Sequence, residues 1–207
     1  MQNETTTELI VIRHGQSAWN ISNRFQGHID TELSDEGRQQ AVKVAEHLAA
    51  EPIEAIYSSD LRRAMETAKP LAQKKGVPVQ ADTSLRERNM GIFQGLTFQD
   101  IAEKFPQEYE KFMTWDPDYL IPEGESSRQK YERTVACFQK IARENAGRTV
   151  AVFTHGGVID ALLRFILGIP LSTPRRYKNY NASINRIIID ERGWFLGTWG
   201  EILHLRR

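Results

Sequence analysis

The chemistry that these residue types allow gathers around two histidines, two neighbouring arginines and one carboxylate. His14 lies in Arg13-His14-Gly15-Gln16-Ser17-Ala18-Trp19-Asn20, directly after the apolar run Leu9-Ile10-Val11-Ile12. His155 lies in Thr154-His155-Gly156-Gly157, directly after Val150-Ala151-Val152-Phe153. Both runs read as buried strands, and ligands of α/β proteins gather beyond the carboxyl ends of strands. An imidazole, a guanidinium and a small backbone unit at such a place suit an anion, with His14 as nucleophile and Arg13 as a phosphate clamp. Arg62 and Arg63, in the first turn of a helix behind a third strand, add positive charge nearby. One histidine on an apolar stretch is ordinarily a packed core residue. Two at equivalent strand ends, each followed by glycine, point to a site. A metal centre would want three or four ligands and a close-spaced pair; no such pair occurs and arginines flank the histidines, so no metal is expected there. A serine-type triad would need a Gly-x-Ser-x-Gly elbow, and the chain has none.

These residues need strands and helices to bring them together. Ser34, with Asp35 and Glu36 after it, reads as a helix start, and Ala41, Val44, Ala45 and Leu48 make one apolar face of a helix ending near Pro52. Residues 53–57 read as a strand. Ser58-Ser59-Asp60 can cap the next helix, whose face is Leu61, Ala64, Met65, Ala68, Leu71 and Ala72 and which Gly76 stops. Residues 77–80 read as a strand and 21–31 as a loop. Strand, helix, strand, helix, strand implies parallel pairing with right-handed crossovers. Residues 85–126 are less regular, with Pro106, Pro117 and Pro122 and two helical pieces over 98–105 and 107–115. The segment 91–125 is expected as an insertion or lid within a single domain spanning 1–207. A long helix should follow with Tyr131, Val135, Phe138 and Ala142 on one face. After the strand ending at His155 come a helix over 158–167 and a hairpin around Glu191-Arg192-Gly193.

Bulk properties bound the partners. The chain has 207 residues, 40% hydrophobic and 26% charged, with Lys+Arg and Asp+Glu at 27 each. The balance leaves no global basic field for nucleic acid or an acidic membrane, so anion recognition has to be local. Cys137 has no partner for a disulfide and reads as a core thiol. The first eight residues lack a signal pattern and no apolar run reaches membrane-spanning length. A soluble, cytoplasmic protein is expected; oligomeric state cannot be read from the sequence.

The motifs resemble the signature of the histidine phosphatase superfamily, also called phosphoglycerate mutase-like. Beyond Arg13-His14-Gly15-Gln16-Ser17-x-Trp19-Asn20, matches follow in family order: Gln26-Gly27, Leu33-Ser34-x-x-Gly37, Ser58-Ser59-Asp60-Leu61-x-Arg63-Ala64 with Thr67-Ala68, Leu85-x-Glu87, and Thr154-His155-Gly156-Gly157. The resemblance implies a three-layer α/β/α sandwich around a mostly parallel sheet and a phosphohistidine intermediate on His14. Arg13, Arg63 and His155 would surround the phosphoryl oxygens, and Glu87 would protonate the leaving oxygen. Ser17, Asn20, Gln26, Gly27 and Gly156 would line the substrate pocket. Arg62 would be a solvated helix residue. Flanking Arg86 and Arg88 leave open a plain surface ion pair for Glu87.

Physical chemistry suits those roles. Phosphoryl transfer asks for positioning and for charge compensation on the equatorial oxygens. Arginine presents paired planar donors that match phosphate, and nearby cations favour a neutral imidazole. The resemblance therefore implies a histidine acid-type phosphatase acting on a small phosphorylated substrate, with no cofactor. Phosphoserine, sugar phosphates and α-ribazole phosphate are handled within the family. A mutase is the alternative, and would need further cations to hold a bisphosphate. Between Gly91 and Glu125 the chain has only Lys104 and Lys111 against eight carboxylates, with seven aromatics, which favours hydrolysis. A non-catalytic phospho-ligand-binding module is a more distant alternative.

Overall fold

The computed structural model describes residues 6–206; residues 1–5, which hold most of the stretch read above for a signal pattern, and residue 207 lie outside the described residues. The chain runs β1 (Thr7–Arg13), α1 (Ala18–Ile21), α2 (Asp35–His47), β2 (Ile53–Ser58), α3 (Arg62–Lys75), β3 (Val79–Ala81), α4 (Phe98–Lys104), α5 (Pro106–Met113), α6 (Ser127–Glu144), β4 (Thr149–Thr154), α7 (Gly156–Leu167), β5 (Ile184–Asp190) and β6 (Gly193–Glu201). The sheet order is β3-β2-β4-β1-β5-β6. β3, β2, β4 and β1 are parallel, while β5 and β6 join antiparallel as the expected hairpin.

β1 occupies an inner position because all its central side chains are apolar. Leu9 and Val11 pack with Phe138, Ile141, Ile159 and Leu162 beneath α6 and α7. Ile10 and Ile12 pack with Val44, Ala45, Ala68 and Leu71 beneath α2 and α3. All four β1 residues are fully buried, each contributing about 1.5–3 kcal/mol; an edge strand would forgo half of this. Helices thus cover both faces and give the three layers. Residues 91–125 carry α4 and α5 over an apolar cluster of their own, built on Met90, Phe93, Ile101 and Ile121. Backbone bonds from Phe25 to Leu96 and from Gly95 to Phe25 tie this segment to the loop after α1.

Local expectations needed correction in places. Ser58-Ser59-Asp60 does not cap α3, whose N-cap is Leu61 with no side-chain bond. Asp60 instead pairs with Arg86 at 2.5 Å. The third strand falls at Val79–Ala81, a little later than expected, because its register is set by pairing with Ile56, Tyr57 and Ser58. The inner face of α6 is Lys130, Thr134, Cys137, Phe138, Ile141 and Ala142, not the stripe through Tyr131 and Val135. Apolar periodicity missed it because two polar residues, Lys130 and Thr134, lie on the buried side. Cys137 is a core thiol, pushed up to about 12 by burial, which leaves it protonated and unreactive.

Candidate active site

Register brings the two histidines together. Arg13 pairs with Thr154 across β1 and β4, and the His14 amide donates to the Thr154 carbonyl at 2.9 Å. His14 and His155 therefore leave neighbouring parallel strands at one level, with ring centroids 5.2 Å apart. The Ser59 amide donates to the Phe153 carbonyl from the end of β2. Its hydroxyl lies 2.8 Å from His155 Nε2, a positioning contact that a capping role would not supply.

The loop after β1 is shaped by two glycines. A Cβ on Gly15 would fall 2.5 Å from the Gly37 carbonyl oxygen, and one on Gly37 would fall 2.0 Å from that of Gln16. Ser34 caps α2 through the Gly37 amide, and its hydroxyl also donates to the Gln16 carbonyl. The Leu33-Ser34-x-x-Gly37 motif is thus a backbone dock for the His14 loop. His14 Nδ1 lies 2.7 Å from the Gly15 carbonyl oxygen. A carbonyl only accepts, so Nδ1 carries the proton and Nε2 keeps its lone pair. Burial first, then the charges of Arg63 and Arg13, hold His14 well below the usual imidazole range. Burial and Arg63 do the same to His155. Both rings are neutral at neutral pH.

A cavity of about 280 Å³ lies over His14, lined among others by Arg13, Asn20, Arg24, Gln26, Gly27, Arg63, Glu87, Arg88 and Lys130. Arg63 Nη1 and Nη2 donate to the carbonyls of Ile29 and Gly27 at 3.0 and 2.9 Å. Arg13 donates to the Asn179 carbonyl. Burial lowers both arginines to about 10, so both stay charged at neutral pH. Arg13 Nε, Arg63 Nε and His155 Nδ1 are buried with no hydrogen-bond partner among the described residues. Such atoms cost about 1–3 kcal/mol each when nothing meets them.

Glu87 is not in a surface ion pair. Its Oε1 accepts from the Arg88 amide at 2.8 Å and its Oε2 from the Gly157 amide at 2.9 Å. Arg86 pairs with Asp60, while Arg88 binds the carbonyls of Glu125 and Tyr119 and the Ser127 hydroxyl. The arginines on either side thus brace the chain and leave the carboxylate at the cavity. Arg62 is exposed and paired with Glu32 and Glu66, as expected of a solvated residue.

Not every expected pocket residue faces the cavity. Ser17 is fully buried behind it, N-capping α1 and donating to Asn20 Oδ1 and Gln26 Oε1. Asn20 Oδ1 also accepts from Asn181, so the NH2 end of Asn20 is the one available to an acceptor. Gly156 opens α7 and lies against Arg13, with its carbonyl accepting from Asn179. The next residue, Gly157, donates its amide to Glu87. Arg24, Arg88, Lys130, Asn179 and Asn181 were not anticipated. Lys130 is buried, donates to the Gly157 carbonyl at 2.7 Å, and is lowered by that burial. Its one signal in the sequence is a lysine on the otherwise inward side of an amphipathic helix.

A neutral imidazole with a free lone pair, arginine donors without partners and a carboxylate on one rim can together accept a phosphoryl group. The chain is similar to several known proteins. One relative, phosphoglycerate mutase-like protein 4 of Arabidopsis thaliana, is 41% identical over 202 residues, 96% of this chain and 86% of its own. A metal-independent phosphoserine phosphatase of the same plant is 37% identical over 203 residues, 96% of this chain and 83% of its own. The solved structure of a mycobacterial glucosyl-3-phosphoglycerate phosphatase superposes with a TM-score of 0.82 at 35% identity, over 95% of this chain and all 100% of that one. The family model for the histidine phosphatase superfamily (branch 1) matches residues 9–202, and the chain belongs to that superfamily.

Proposed function

We propose that this protein is a phosphomonoester hydrolase that works through a phosphohistidine on His14. The observation that carries the reading is the His14 tautomer, with Nδ1–H held by the Gly15 carbonyl and the Nε2 lone pair left free beside Arg13 and Arg63. In the first step Nε2 bonds to phosphorus, the ester P–O bond breaks, and the departing oxygen takes a proton from Glu87. In the second, water attacks the phosphohistidine, Glu87 takes its proton, the P–N bond breaks and inorganic phosphate leaves. Arg13, Arg63 and His155 meet the phosphoryl oxygens and satisfy their unpartnered nitrogens. Asn20, Gln26 and Gly27 line the pocket. The names of the phosphoserine and glucosyl-3-phosphoglycerate phosphatases support hydrolysis.

A second cavity of about 260 Å³ shares Phe25, Arg88, Phe112, Ser127 and Gly157 with the first. Phe98, Met113, Trp115 and Tyr119 wall it, with Asp116, Asp160, Arg164 and Arg175 at its polar parts. It fits the part of a substrate beyond the phosphate, apolar or amine-bearing. Mutase-type transfer is the second reading, favoured by one observation. Arg24, Arg88 and Lys130 bring to the cavity cations that the charge count of residues 91–125 left out. A panel of phosphomonoesters with wild type and His14→Ala tests the proposal. Hydrolysis absent from the variant, with acid-labile phosphate trapped on His14 in quenched wild type, is expected. Turnover without such a label would remove the covalent route, and no turnover above the variant would favour a binding module. Isomerisation of 3-phosphoglycerate that depends on the 2,3-bisphosphate and outpaces phosphate release would make it a mutase.

A further inference from the structure

A second cluster of chemistry-bearing side chains lies apart from the phosphate cavity, where α2 ends at His47, β6 ends at Glu201 and the closing turn carries His204. His47 Nε2 lies 3.4 Å and His204 Nδ1 3.6 Å from the same oxygen, Glu201 Oε1. No two of these three atoms are more than 4.8 Å apart. His204 Nε2 lies 3.1 Å from the Ala182 carbonyl oxygen, which only accepts. That nitrogen therefore carries the ring's proton, and Nδ1 directs a lone pair at the carboxylate. Glu201 Oε1 and His204 Nδ1 are both buried and neither has a hydrogen-bond partner among the described residues. Two electron-rich atoms facing each other inside the protein are unfavourable unless a cation sits between them.

We propose that His47, Glu201 and His204 bind a divalent transition-metal ion of the zinc class. Two imidazoles and a carboxylate suit such an ion, whereas calcium and magnesium take oxygen ligands. Bonds of about 2.0–2.2 Å in tetrahedral geometry put neighbouring ligand atoms roughly 3.4 Å apart, close to the two separations observed. The Ala182 carbonyl supplies the outer contact that fixes a metal-binding imidazole's tautomer. A cavity of about 310 Å³ opens onto the histidines beside Lys43 and Glu46, giving an entry path and room for water as a fourth ligand. Lys43, the cation on this wall, donates to the Leu205 carbonyl at 3.2 Å. The site is structural. It joins the ends of α2 and β6 to Ala182, whose amide donates to the His14 carbonyl at 3.2 Å. His47 lies far along the chain from Glu201 and His204, so no close-spaced histidine pair marks the site in the sequence.

The test is titration of untagged, chelator-stripped protein with Co²⁺, followed by visible absorption, and with Zn²⁺, followed by calorimetry and Tm. Wild type and His14→Ala should each bind one equivalent, with cobalt ligand-field bands and a Tm raised by zinc. His47→Ala, at a partly exposed position, should keep the metal-free Tm and bind roughly 100-fold more weakly. If it fails to fold, His47→Gln takes its place. Binding equal in the His47 variant and wild type, or no ligand-field bands in wild type, would overturn the proposal and leave a plain imidazolium–carboxylate contact.

Discussion

Replacing Gly157 with alanine tests the placement of Glu87 without touching its carboxyl group. The added Cβ would lie 2.2 Å from Glu87 Oε1, 3.0 Å from Cδ and 3.3 Å from Oε2. To recover ordinary contact the carboxylate must retreat by roughly 1 Å, leaving the Gly157 amide that now holds Oε2 at 2.9 Å. A displacement of that size can cost about 100-fold in rate, or about 2.7 kcal/mol of transition-state stabilisation. The fold should not suffer. The clashing atoms are the end of a side chain, and alanine is the better residue in α7 by up to about 1 kcal/mol. The assay is kcat/KM, which reports the steps up to phosphohistidine and not the water step that Glu87 serves as base, across aryl and alkyl phosphates of graded leaving-group acidity, with Tm recorded alongside. A general acid matters most for poor leaving groups, so alkyl phosphates should lose about 100-fold while the most acidic phenol loses little. Gly157 also lines the cavity, and a merely steric effect would raise KM for every substrate alike. An unchanged kcat/KM for alkyl phosphates, or one uniform loss across the series, would refute the role of Glu87 as acid.

Three further outcomes follow from the geometry. Gly37→Ala meets backbone, with its Cβ 2.0 Å from the Gln16 carbonyl oxygen; it should cost about 1–3 kcal/mol in denaturant unfolding and lower kcat as the His14 loop shifts. His14 and His155 are held neutral by burial, while unfolded histidines protonate near pH 6.5. Their stabilising contribution is complete above that pH and drains as pH falls, by up to about 1.4 kcal/mol per pH unit for each histidine, readable as urea midpoints against pH. Arg63→Met removes the cation that most lowers His14 after burial itself, so NMR titration should show the His14 imidazole protonating at a higher pH than in wild type. No change in that titration would mean that the guanidinium does not act on the ring.

How much was legible in the sequence follows from what is local. Apolar runs ending in His14 and His155, the α2 and α3 faces, the closing hairpin and the ordered motifs containing Arg63 and Glu87 are contiguous patterns, because strand and helix periods repeat within a few residues. That information placed the three layers and named the groups at the strand ends. Tertiary structure decided what meets them. Registry between β1 and β4 brought the histidines to one level. The Gly157 amide took the Glu87 carboxylate. Ser59 turned from a presumed cap into a partner of His155. Asn179, Asn181 and Lys130 reached the site through bonds to distant backbone carbonyls. Such bonds obey no sequence period. They depend on which carbonyl a crossover leaves open, and that is settled only when the whole sheet has assembled.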